Sequence, residues 1–90
     1  MRNIMHFRDA VSEAEEKNKA LGGKPMPHED ALALKNKIRL TSVLALKVYL
    51  DLLALKKPSV EQANHMEIYE DTMEKAKKVL PAIKVAKTAH

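Results

Sequence analysis

The stretch LTSVLALKVYLDLLAL, Leu40 to Leu55, is apolar around most of a helical circumference, in a chain of only 90 residues. A helix that is apolar nearly all round has to be covered by something. Lipid is a poor candidate: a span needs about 20 apolar residues, and this run is shorter and broken by Lys47 and Asp51. Placing either charge in lipid costs a few kcal/mol. Protein must therefore do the covering, and the question is whether the rest of so short a chain suffices.

The remaining sequence predicts helices. Phe7, Tyr49 and Tyr69 are the only aromatics, and Gly22 and Gly23 the only glycines. Strands favour aromatic and β-branched residues with frequent turn residues, whereas long unbranched side chains and few breakers favour helices. The expected fold is all-α and of one domain. The absence of cysteine excludes disulfides, thiolate catalysis and cysteine-ligated zinc. The opening MRNIMHFRDAVSEAEE has no apolar signal-peptide core, so a cytoplasmic setting is the expectation.

Three breaks divide the chain. Gly22-Gly23 followed by KPMPHED ends one helix and starts another, because glycine accepts a left-handed cap and Pro25 and Pro27 cannot continue a helix interior. Lys57-Pro58-Ser59 is the second break, with Ser59 and Gln62 spaced as a capping box. Pro81 is the third. The helices are expected at about 3–21, capped by Asn3, at 28–56 and at 60–80, arranged up-down-up. Residues 81–90 form a basic C-terminal segment, read as a short helix or a frayed end. The first helix has one apolar stripe, Ile4, Phe7, Val11, Ala14 and Leu21, with Asn18 in one slot; the third has Met66, Tyr69, Met73, Ala76 and Leu80. Glu13–Lys17, Glu15–Lys19, Asp71–Lys75 and Glu74–Lys78 are spaced to pair on their outer faces.

The long central helix differs from both. One seam is Leu34, Ile38, Thr41, Ala45, Val48, Leu52 and Leu55; the other is Val43, Leu46, Leu50 and Leu53. Their centres lie roughly 150° apart at 100° per residue, with Asn36, Lys47 and Asp51 between them. In a compact three-helix bundle the two neighbours share one seam and leave the other bare. Four exposed leucine-sized side chains forgo on the order of 6–12 kcal/mol at most, comparable with the stability of a whole small domain. A dimeric helical bundle is therefore expected, with Val43, Leu46, Leu50 and Leu53 as the protein interface and Lys47 and Asp51 at its edge, where a polar pair can fix register.

The formal charge is +4, and its layout matters more than its sum. Glu61, Glu67, Glu70, Asp71 and Glu74 precede a run of lysines, Lys75, Lys77, Lys78, Lys84 and Lys87, without an acid among them. An up-down-up fold gathers these lysines with Lys17, Lys19, Lys24, Lys35, Lys37 and Arg39 at one end. Such a pole attracts phosphate or an acidic protein surface. Lys35, Lys37, Arg39, Lys75 and Lys78 are the candidate anion or nucleic-acid contacts. Arg2, Arg8 and Arg39 are the only arginines, a thin supply for bidentate base recognition, and the Gly22–Asp30 connection is too long for a helix-turn-helix.

The inventory for chemistry is short. His6, His28, His65 and His90 are the candidate ligands or bases. Glu61 and His65 share a helical face, but a bundle metal site needs Glu-x-x-His spacing on inward faces, which does not occur. No metal, cofactor or catalytic residue is expected. The sequence predicts a non-catalytic helical protein that acts through protein–protein contact as an adaptor, inhibitor or accessory subunit. It is expected to self-associate through its central helix, with another protein as a further partner, and nucleic-acid association through the lysine-rich pole is the alternative.

Overall fold

The computed structural model describes residues 1–86 as a three-helix bundle, α1 (Arg2–Leu21), α2 (His28–Leu53) and α3 (Val60–Ala82), running up-down-up. Each helix packs against both others, so α1 and α3 share one side of α2. The result is a rod with principal extents of 55 × 22 × 17 Å.

The breaks work as their chemistry dictates. Gly22 caps α1 at φ 57°, its N–H donating to the Lys19 carbonyl, in the left-handed region that glycine enters without a Cβ penalty. Ser59 forms the complete capping box: its Oγ accepts from the Gln62 N–H at 3.1 Å, and its own N–H donates to Gln62 Oε1 at 2.7 Å. At the start of α1, however, Met1 occupies the cap position and no side chain caps it, so Asn3 lies inside the helix. α2 stops at Leu53 rather than running to 56, and its last turn tightens, with the Leu55 N–H bonded to the Leu52 carbonyl. Pro58 bars helical geometry at Lys57, so the chain has at most three residues beyond Leu53 in which a helix could continue.

Pro81 does not end α3. The helix passes through it to Ala82, and the Ile83 N–H still reaches the Val79 carbonyl at 3.1 Å. Residues 83–86 form neither a further helix nor a frayed end. The Met26 N–H donates to the Lys84 carbonyl at 2.7 Å and the Ala86 N–H to the Met26 carbonyl at 2.8 Å, a single parallel bridge between Met26 and Val85. Met26 sits between Pro25 and Pro27; a residue preceding proline is held extended, so its polar groups face outward from the chain and accept an edge partner. Met26 and Ile83 are both buried, and the bridge fastens the α1–α2 connection to the end of α3. Residues 87–90, including Lys87 and His90, lie outside the described residues.

The core is Ile4, Phe7, Ala10, Val11 and Ala14 of α1, Ala31, Leu34, Ile38, Ala45 and Leu52 of α2, and Tyr69, Ala76 and Val79 of α3, closed by Met26 and Ile83. Tyr69 is its aromatic hub, with the Phe7 ring 5.8 Å away, within the range of favourable ring pairs, and the Tyr49 ring stacked closely on it at 4.3 Å. No residue of α3 before Tyr69 is buried. The reason is length. Glu13 of α1 meets Lys37 of α2, and from that contact α1 has about 16 Å to its start while α2 has about 24 Å to its end, at 1.5 Å per residue. The Tyr49–Ile68 end is therefore a two-helix hairpin projecting beyond α1.

Candidate protein interface

The two seams of α2 have opposite fates. Leu34, Ile38, Ala45 and Leu52 are buried, with Thr41 and Val48 half-buried. On the other seam Val43 is 64% exposed, Leu46 42%, Leu50 54% and Leu53 50%. Leu55, assigned to the first seam from its spacing, is exposed, because α2 has already ended before it. Leu32, Leu40, Leu44 and Val60 are exposed as well. Sequence reasoning left them out of the seam, although Leu32 continues the Leu46–Leu53 line two heptads earlier and Leu40 stands beside it.

Lys47 and Asp51 are both exposed at the edge of this apolar surface. Their i,i+4 spacing suggests a pair within the helix, yet among the described residues neither takes part in an ion pair; the pairs formed are Arg8–Asp9, Glu13–Lys17, Glu13–Lys37 and Glu74–Lys77. Of the four outer-face pairs expected from spacing, Glu13–Lys17 alone forms at 3.3 Å. Glu13 prefers a neighbouring helix for its second oxygen, 2.8 Å from Lys37 Nζ. Hydrogen bonds from Lys37 and Lys17 hold its carboxyl below the ordinary 4.5.

The basic residues are divided by these contacts. Lys75 and Lys78 line an open cleft of about 400 Å³ with Lys19, Asn18, Glu15, Val79 and Ala82, between the ends of α1 and α3. Lys37 is committed to Glu13, while Lys35 is half-buried and Arg39 exposed on α2. Asn18, set in the α1 stripe, is half-buried at this cleft.

Other polar groups serve the fold. The Tyr49 hydroxyl donates to Glu70 Oε2 at 2.7 Å, and this bond raises the phenol above its ordinary 10.0. Tyr69 is raised by burial. His65 turns its Nδ1 onto the Glu61 carbonyl at 2.8 Å instead of the neighbouring carboxylate. Among the described residues no three His, Asp or Glu side chains converge on a metal-sized site, and no helix is long and apolar enough to cross a membrane. The arrangement offers an apolar strip along one helix, a pair of free charges at its edge and a lysine cleft at one end. Comparison with protein-family models, curated proteins and solved structures finds no match for this chain.

Proposed function

We propose that this protein is a non-catalytic helical module that acts by protein–protein contact and self-associates through α2. The observation that carries the reading is the exposed seam of Val43, Leu46, Leu50 and Leu53, each 42–64% exposed, on a helix whose opposite side buries Leu34, Ile38, Ala45 and Leu52. Covering the exposed half of these four side chains on two copies recovers on the order of 6–12 kcal/mol. Association costs about 4–15 kcal/mol in lost freedom. The two ranges overlap, so these four side chains support a reversible association rather than an obligate one. In the cell a cytoplasmic module of this kind serves as an adaptor, inhibitor or accessory subunit. Co-expression of tagged and untagged copies tests it: the tagged chain retains the untagged one, and Leu46→Asp with Leu50→Asp abolishes retention. Retention that survives both substitutions, or no retention at all, contradicts it.

The lysine cleft supports a second reading, nucleic-acid association through Lys75 and Lys78 together with Lys35, Lys37 and Arg39. It predicts binding to duplex or single strands that weakens steeply with salt and disappears on reversing Lys35, Lys37 and Lys78. Absence of binding at low salt removes it.

A further inference from the structure

The orientation of the two copies is written in the charges around the exposed seam. Val43, Leu46, Leu50 and Leu53 alternate spacings of three and four, the pattern of a two-helix seam. Resting on the self-association proposed above, we infer that the second copy packs antiparallel, about a two-fold axis at the level of Val48. That axis sets Val43 opposite the partner's Leu53 and Leu46 opposite the partner's Leu50, and by symmetry the reverse, so all four apolar residues are layered without remainder.

Three features favour this over a parallel pair. The first is the pair of unpaired charges. With the axis at Val48, Lys47 lies about 3 Å along the helix from the level of the partner's Asp51. Helical side chains lean toward their own N-terminus, which in an antiparallel pair carries the Lys47 ammonium toward that carboxylate. Two reciprocal ion pairs then flank the seam. A parallel pair flanks Lys47 with the partner's Ser42 and Tyr49, neither of them acidic.

The second feature is Arg39, which continues the seam one heptad before Leu46. A parallel two-fold places each seam residue against its own copy, so two guanidinium groups meet and the two lysine poles coincide. The antiparallel arrangement separates the poles and turns each toward the partner's acidic stretch, Glu61 to Glu74.

The third is the apolar tip. Leu55 and Val60 are 42% and 81% exposed beyond the end of α2. Antiparallel packing brings this tip to the height of the partner's Leu40, itself 63% exposed; parallel packing sets tip beside tip and Leu40 beside Leu40.

A spin label at Asn36→Cys, the single cysteine of an otherwise cysteine-free chain, reads the orientation directly. Asn36 is exposed and outside the four layers. Antiparallel packing separates the two labels by about 36 Å along the helices; parallel packing holds them at roughly the 10 Å interaxial distance. A distance near 36 Å is the expected result. A short distance overturns the orientation while leaving self-association intact, and no dipolar coupling at a concentration well above the dissociation constant overturns both.

Charge reversal supplies the second arm. Lys47→Asp and Asp51→Lys each replace two attractions with two repulsions, so each variant alone associates roughly tenfold more weakly. Mixing the two in equal amounts restores association at the original strength, because each supplies the charge the other lacks. A pair acting only within its own helix gives no recovery on mixing, and that outcome overturns the inference.

Discussion

The two sides of α2 are built from the same kind of aliphatic residue and meet different surroundings. Leu34, Ile38, Ala45 and Leu52 face α1 and α3 and are at most 6% exposed; Val43, Leu46, Leu50 and Leu53 face away and are at least 42% exposed. Hydrophobicity alone therefore does not place a side chain inside. Two neighbours that also touch each other subtend only part of the circumference of a third helix, and the remainder stays bare however apolar it is. A continuous exposed apolar strip of this kind is uncommon on monomeric proteins.

The comparison is broken or sharpened by substitutions on each side. The largest effect is expected at the packed side. Ile38→Ala removes a side chain 2% exposed and leaves a cavity, for a loss of about 2–5 kcal/mol; chemical denaturation in dilute solution reads it. Leu50→Ala in the same assay costs less than about 1 kcal/mol, because half the side chain is already in water. Equal losses at the two positions erase the distinction between the sides.

A smaller effect is expected at the projecting hairpin. The tip lacks support from α1, so α3 depends there on its cap, and Ser59→Ala removes the Oγ that holds the Gln62 N–H for about 1 kcal/mol. Amide exchange over 60–68 accelerates while that of 4–14 does not. The smallest effect is the pH dependence of the packed side. Because the Glu13 carboxyl is held below its ordinary 4.5, its contribution is present above that value and is lost as pH falls through the lowered one. The side chain is 39% exposed, so the screened pair contributes under about 1 kcal/mol, and Glu13→Gln flattens the acid limb of a stability profile by no more than that.

Much of this architecture was legible from local chemistry. The glycine pair, the capping box at Ser59 and the three- and four-residue spacing of Ile4, Phe7, Val11 and Ala14 each act within one or two turns, so sequence alone locates them. The bare seam was legible for a different reason: it comes from counting apolar circumference against available neighbours. What escaped depends on distant partners. The bridge between Met26 and Val85 joins residues 59 positions apart, and no periodicity announces it, although the prolines on either side of Met26 mark an extended residue with free backbone groups. Glu13 reaching Lys37 rather than only Lys17 required the antiparallel register of α1 and α2. Thr72, buried at 3%, was hidden because a polar residue outside the Met66–Tyr69–Met73 series reads as exposed until the width of the packed face is known.

Sedimentation equilibrium across the micromolar range tests most directly whether that bare side of α2 is an interface between copies. The account predicts a mass rising with concentration toward twice that of the 10.1-kDa chain, and a Leu46→Asp, Leu50→Asp variant that stays helical at the mass of one chain. A single-chain mass throughout that range, unchanged by those substitutions, contradicts it.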